Sequence, residues 1–341
     1  MTVPIAVLLG AIGIGYLMGG WHDALLVAVL SIFEVALSFN NAVINASVLG
    51  RMNRFWQTMF LTLGLLIAVV GMRILFPILI VMVTAHLPAS SVVDLALNNP
   101  QEYANRLAAA HASISAFGGT FLLMLFFDFV LDESKQVHWF KFIERPLARA
   151  GRLKTLSTLL TLLGLWLVSA TLAGDESGKV LLAGAAGMIT YLLIRGFSQV
   201  FESIGGVSKN GTSAGRDVVR ATGWLALGLF VYLEVLDAAF SFDGVVGAFA
   251  ITDNVVTIAL GLGVGALFVR ELTVWLVRRE TLKEFIYLEH GAQYSVGALA
   301  VLLAFGLKYD IPHAVTGVVG AGFIILALVA SLMVNRRAKV A

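Results

Sequence analysis

The sequence predicts an all-α polytopic membrane protein of about ten transmembrane helices, built as two inverted five-helix repeats. Three observations carry this expectation. Of 341 residues, 59% are hydrophobic and 13% charged, against about 25% charged in soluble domains, and the mean hydropathy is +0.91. Apolar runs near or above the ~18 residues that mark a bilayer span recur along the whole chain. Three motifs of the first half also return, in the same order, in the second.

Taken in order, the apolar stretches between polar breaks cover 4–20, 24–50, 56–86, 107–131 and 155–173, then 179–204, 221–250, 256–277, 288–307 and 313–334. The first, "PIAVLLGAIGIGYLMGG", follows no basic segment and has no A-x-A cleavage site, which reads as a retained helix rather than a signal peptide. Spans near 30 residues exceed the ~20 that a bilayer requires, so tilts, kinks or breaks are expected in them. With ten spans and the N-terminus inside, 17 of the 23 Lys and Arg residues fall in inner connections or the tail. Outer connections hold only Arg106, Lys179 and Lys308, while Arg73, Arg195 and Arg270 lie within spans. That asymmetry places both termini on the cytoplasmic side, and a prokaryotic plasma membrane is the expected location.

The inner loop 132–154 mixes Trp139, Phe140, Phe142 and Ile143 with basic residues. A topology-setting basic loop explains it, with an interfacial helix on the anionic leaflet as the alternative. The stretch 205–216, "GGVSKNGTSAGR", reads as a linker and lacks the spacing of a phosphate loop. The 34 glycines suit close helix packing, and the lack of cysteine excludes disulfides and thiolate metal sites. No nucleic-acid partner or organic cofactor is expected, the bilayer being the constant partner, and the sequence specifies no oligomeric state.

The repeats divide the chain into 1–175 and 176–341. "EVALSFNNAV" (34–43) matches "DAAFSFDGVV" (237–246), "GLLIAVVGMR" (64–73) matches "GLGVGALFVR" (261–270), and "HASISAFG" (111–118) matches "HGAQYSVG" (290–297). Five spans per half is an odd number, so the second half inserts upside down, as in many transporters with a midplane site between repeats.

The first pair of motifs carries the chemistry. An intramembrane acid costs about 2.5–3.5 kcal/mol, so Glu34, Asp237 and Asp243 are not expected to face lipid. Glu34, Ser38, Asn41 and Asn45 follow at i, i+4, i+7 and i+11, one stripe of a helix, and Asp237 with Ser241 repeat its beginning. Asn40 and Asp243 fall about 120° off that stripe in a regular helix. They therefore meet other partners, or the helix breaks at "SFNN" and "SFDG", where Gly244 and Gly247 permit it. Carboxylates, amides and hydroxyls form a hard set suited to Mg, Ca or Mn, with His adding affinity for Zn or Fe. For Ser38, Asn45 and Ser241, plain helix-to-helix bonding is an equal reading.

Arg73 and Arg270 are the repeat-related cations, read as partners of the motif acids, although Arg270 also has Glu271 beside it. Pro77 cannot bond to the carbonyl of Arg73, so the third span is expected to kink there. His111 and His290 stand near span starts, as satisfied interfacial histidines or, alternatively, as a proton relay or outer metal stop. Arg195, Gln199 and Glu202 are spaced for mutual pairing.

"EVALSFNN" and "DAAFSFDG" resemble the paired E-x-x-x-S-x-D-N and D-x-x-x-S-x-D signatures of the TerC integral membrane family, in particular its longer DUF475 branch. The resemblance spans both halves, including the Arg-bearing third helices. It implies a transporter, associated with tellurium resistance, that exports manganese or a related divalent ion. The ion would be held by Glu34, Asn41, Asp237 and Asp243 with Ser38 and Ser241 in support. Asn40 and Gly244 depart from the family pattern, which has Asp and a polar residue there. The alternatives are a non-transporting membrane partner in metal or stress handling and an exporter of small organic ions or amino acids. No enzyme is expected: there is no H-E-x-x-H, and no spacing pairs a serine with a histidine.

Overall fold

The computed structural model describes residues 2–153, 155–204, 221–249, 251–252, 254–278, 285–309 and 311–340. A few side chains within these ranges, Asn40 and Asp243 among them, lie outside the description, as does the expected linker 205–216. The described chain is almost entirely helical, and each of the ten predicted spans falls on helix. Seven described stretches are long and apolar enough to cross a membrane. The chain is an integral membrane protein.

Helix α1 (Thr2–Leu37) is two helices joined at Gly19 and Gly20, where Gly20 has φ +68° and ψ −152°. A side chain there would be strained, so glycine sets the bend between the first two spans. The second span breaks again at Ser38 before α2 (Phe39–Leu49), within the first motif. After α3 (Arg54–Leu61) and the single turn α4 (Leu63–Leu66), a π-helix runs from Ile67 to Leu75 and leads into α5 (Phe76–Ala85). The irregularity expected at Pro77 therefore lies just before it, and Pro77 sits in the first turn of α5, where its missing N–H costs least. Wide turns of this kind often mark functional positions, and this one carries Arg73.

Between the third and fourth spans the chain builds α6 (Ala89–Asn98) and α7 (Pro100–Ala109). The Asn99 side chain caps α7 by accepting from the Glu102 N–H at 3.4 Å, with Pro100 at the first helical position. Next come α8 (His111–Val130), α9 (Lys141–Ala150), α10 (Leu156–Thr171), α11 (Ser177–Ile204) and α12 (Gly223–Phe249). Helices α13 (Val255–Arg278), α14 (Leu288–Phe305) and α15 (His313–Val340) complete the chain. At 16 residues α10 rises about 24 Å, short of the ~30 Å hydrocarbon core.

Lipid gives apolar helices no reason to prefer one another, so small residues decide the contacts. Gly261 and Gly265, one turn apart on α13, lie against the second part of α1. A Cβ at Gly261 would stand 2.5 Å from Leu30 Cβ, and one at Gly265 would stand 2.5 Å from Glu34 Cβ. Helices α1 and α2 pack on α13, α12 packs on the π-helix, and α8 packs on α14. Helix α8 also holds α11, where the Thr120 hydroxyl donates to Gly184 O at 2.8 Å. Large apolar side chains such as Leu17, Leu182 and Val318 point outward, toward lipid.

Candidate functional site

The break at Ser38 separates Glu34, at the end of α1, from Asn41 in α2. Glu34, at the end of α1, is 2% exposed and accepts from Ser38 Oγ at 3.0 Å and from Arg73 Nη2 on the π-helix. Asn41, in the first turn of α2, donates from Nδ2 to Asp237 Oδ1 of α12 at 2.6 Å. One hydrogen bond thus joins the two copies of the motif.

Asp237 accepts through its other oxygen from Arg270 Nη2 on α13, at 3.1 Å. Arg270 also grips Glu234, one turn before Asp237, with Nη1–Oε1 at 3.1 Å and Nη2–Oε2 at 3.0 Å. Its Nη1 donates to Phe60 O at 2.9 Å, and the Phe60 ring lies 4.2 Å from the guanidinium carbon. Gly64 makes room for this group, since a Cβ there would fall 2.4 Å from Arg270 Nη1 and 2.5 Å from Glu234 Oε1. Each arginine of the repeated Gly–Arg motif therefore lies on the acid of its own half.

Helix α12 runs unbroken through "SFDG", unlike span 2. Gly244 serves close approach there instead of a break: Glu34 Oε2 lies 2.9 Å from where its Cβ would be. Ser241 and Asn45 are buried, at 4% and 1% exposure. Among the described residues Ser241 Oγ, Asn45 Oδ1 and Asn41 Oδ1 have no hydrogen-bond partner, so buried oxygen acceptors lie unused on the two motif helices. The expected roles of the Asn40 and Asp243 side chains lie outside the described residues.

Five charged side chains, Glu34, Arg73, Glu234, Asp237 and Arg270, are thus buried together. At ~2.5–3.5 kcal/mol for each unpaired intramembrane charge, such a group persists only when paired and hydrogen-bonded. Three carboxylates and two guanidiniums carry a formal charge of one negative among the described residues. No group of three or more His, Asp or Glu among the described residues is arranged to hold a metal ion. Arginines hold the carboxylates instead.

The two histidines lie apart from this cluster. His111 meets Ser115 Oγ at 3.3 Å, one turn along α8. His290, 4% exposed, donates from Nε2 to Val137 O at 3.0 Å and lies 3.5 Å from Glu144 Oε2. Glu144, on α9, is fully buried and forms a second polar centre. It accepts from the N–H groups of Trp139 and Phe140 (3.2 and 3.1 Å), from Tyr294 Oη (3.2 Å) and from Lys135 Nζ (3.3 Å). Burial raises its pKa, but the bonds from His290 and Phe140 and the charge of Lys135 outweigh it and bring the group down to about 2. The described part of this loop, 132–153, is thus docked and carries a helix, Lys141–Ala150, whose outer face shows Phe142 at 94% exposure. Arg195 reaches Asp128 on α8, to which Tyr191 Oη also donates at 2.7 Å; the side chains of Gln199 and Glu202 lie outside the described residues.

Spacing alone did not single out Glu234, yet it lies three residues before Asp237, on nearly the same helix face. That offset is the signal that points to it.

Comparison with known proteins gives a coherent but functionally silent picture. The chain is 28% identical over 127 residues to an uncharacterized membrane protein, YceF, of Bacillus subtilis (strain 168), an alignment covering 35% of this chain and 47% of that protein. The chain therefore spans about half the length of this curated relative. No solved structure matches. The family model described as "Protein of unknown function (DUF475)" matches residues 39–338, which take in Asn41, Arg73, Glu234, Asp237 and Arg270, and the chain belongs to that family.

Proposed function

We propose that this protein is a membrane transporter for a divalent cation, manganese-like in its chemistry, with Asp237 and the Glu34–Asn41 segment at the translocation site. The observation that carries this reading is the Asn41–Asp237 bond: it unites two copies of one motif inside a buried, net-negative cluster with unused oxygen acceptors. Intramembrane carboxylates of this kind belong to ion pathways more often than to scaffolding.

The two-repeat architecture, 1–175 and 176–341, is part of the proposal. It is supported by the helix pairing that a twofold relation requires. The second span of each half packs on the third span of the other, and the two fourth spans pack on each other. The first span of each half departs from this pattern, since the start of α1 lies on α13 while α11 lies on α8. Rocking of one repeat against the other would expose the site alternately to each side. The preference for manganese and the export direction rest on the resemblance to the TerC family. Cytoplasmic termini rest on the distribution of Lys and Arg, and a plasma-membrane location is proposed with them. No chemical step is assigned.

A non-transporting membrane partner is the second reading, favoured by the arginines that hold the carboxylates. Reconstitution in liposomes separates the two. Flux of Mn, Ca, Mg, Zn and Fe is followed with and without a pH gradient, and amino acids are added as competitors. Asp237→Asn is expected to insert and purify as the parent does and to abolish cation flux. Undiminished flux from that variant overturns the site, and metal binding without flux in the parent selects the second reading.

A further inference from the structure

The two halves balance their buried arginines differently. In the first half Arg73 meets one carboxylate among the described residues, Glu34. Three residues before Glu34 stands Ser31, whose hydroxyl donates to Val27 O at 2.8 Å and Gly261 O at 3.0 Å. In the second half the same offset holds Glu234, and Arg270 lies between two acids. Its hold on them is unequal. It forks onto Glu234 with both terminal nitrogens and shares one of these, Nη2, with Asp237. Phe60, through its carbonyl and its ring, anchors the guanidinium as well.

Asp237 is thus the less firmly held carboxylate. Among the described residues the amide that binds its Oδ1 carries an unused acceptor, Asn41 Oδ1, and Ser241 Oγ, one turn further along α12, is unpartnered too. A carboxylate, an amide oxygen and a hydroxyl are hard donors of the kind a divalent cation takes.

We infer that Glu234 is a positioning residue that retains Arg270 when Asp237 exchanges its share of the guanidinium for the transported cation. This inference rests on the transport reading above. Glu234 and Arg270 form a neutral pair on their own, which leaves the charge of Asp237 free for a cation. Breaking one shared hydrogen bond then frees Asp237 Oδ2, and the arginine need not leave its seat on Phe60. Glu34 has no such release, because no second acid among the described residues takes Arg73 from it. The cluster is asymmetric in use: Asp237 exchanges and Glu34 stays paired.

The test compares Glu234→Gln, Glu234→Asp and Asp237→Asn in the full chain, with Mn2+ as the probe. In Glu234→Gln the described carboxylate that Arg270 still contacts is Asp237, so the cation must break a charge-assisted bond to enter. The apparent KM for Mn2+ is expected to rise on the order of 10–100-fold, the equivalent of one such bond, with kcat changed less than about threefold. Glu234→Asp keeps the acid and is expected to return KM to near the parent value. Equilibrium Mn2+ binding, read by electron paramagnetic resonance, gives the same comparison without turnover. Parent-like KM and Mn2+ affinity in Glu234→Gln, with Asp237→Asn inactive, overturns this inference and leaves the site in place. So does a loss in kcat that Glu234→Asp fails to rescue. Full activity in Asp237→Asn, or no Mn2+ binding by the parent, removes the site itself.

Discussion

Replacing Arg73 by Met tests whether the buried cluster is held by charge compensation. The Arg73 and Glu34 side chains are 1% and 2% exposed, so neither reaches water. Without the arginine, Glu34 keeps only the Ser38 hydroxyl at 3.0 Å as a described hydrogen-bond donor. Removing one member of such a pair costs about 3–5 kcal/mol, because the remaining charge is stranded, whereas replacing both by apolar residues of similar volume is often neutral. Arg73→Met and Glu34→Met should therefore each destabilise by about 3–5 kcal/mol. The double variant should recover most of that loss. The readout is tryptophan fluorescence of the purified protein unfolded by rising SDS fraction in mixed micelles. Single variants within about 1 kcal/mol of the parent would refute the reasoning, as would a double variant no more stable than the worse single one.

Two further predictions concern packing and pH. At Gly265 an added Cβ stands 2.5 Å from Glu34 Cβ and 2.9 Å from Ser31 O, so α1 and α13 must separate for ordinary contact. Gly265→Ala should cost about 1–3 kcal/mol in the same unfolding assay, while Gly10→Ala, with nothing within 4 Å, should be silent; equal effects would contradict the packing. Glu144 has its pKa lowered from the ordinary 4.5 to about 2 in the folded protein. Its contribution is therefore complete above pH ~4.5 and is lost as pH falls through ~2, worth about 3 kcal/mol in total. The parent should lose stability over that window, with Trp139 emission reporting release of the loop. Glu144→Gln should remove this part of the pH dependence, and an unchanged acid limb would contradict the role of Glu144.

The spans were legible because long apolar runs between charged breaks need no periodicity to be recognised. The meeting of Asn41 with Asp237 was foreshadowed by duplication: two acids at the same point of two similar segments imply a shared centre. Other features depend on neighbours that no local pattern names. Gly244 and Gly247 pointed to a broken helix, yet α12 is continuous there and Gly244 instead leaves room for Glu34. Glu234 carried no motif, and its pairing follows from where α13 brings Arg270. Helices α6 and α7 sit in a stretch that reads as a plain connection, because each is only 10 residues long. Glu144 stands in a loop whose pattern reads only as basic. Only the folded path of 132–153 brings Lys135, Tyr294 and His290 around it.

That path has a mechanical meaning. Glu144 comes from the first half of the chain, and His290 and Tyr294 come from the second. A short backbone bridge repeats the tie: Ala221 N–H donates to Arg51 O at 2.7 Å and Asn53 N–H to Ala221 O at 3.2 Å. In the proposed ten-span arrangement both ties follow an even-numbered span, which puts them at the same end of the bundle. Swinging the halves apart at that end would tear both clasps, while swinging them apart at the far end leaves both closed. The clasped end is the natural fulcrum, and amide hydrogen exchange should find Trp139, Phe140 and Ala221 among the slowest positions outside the spans.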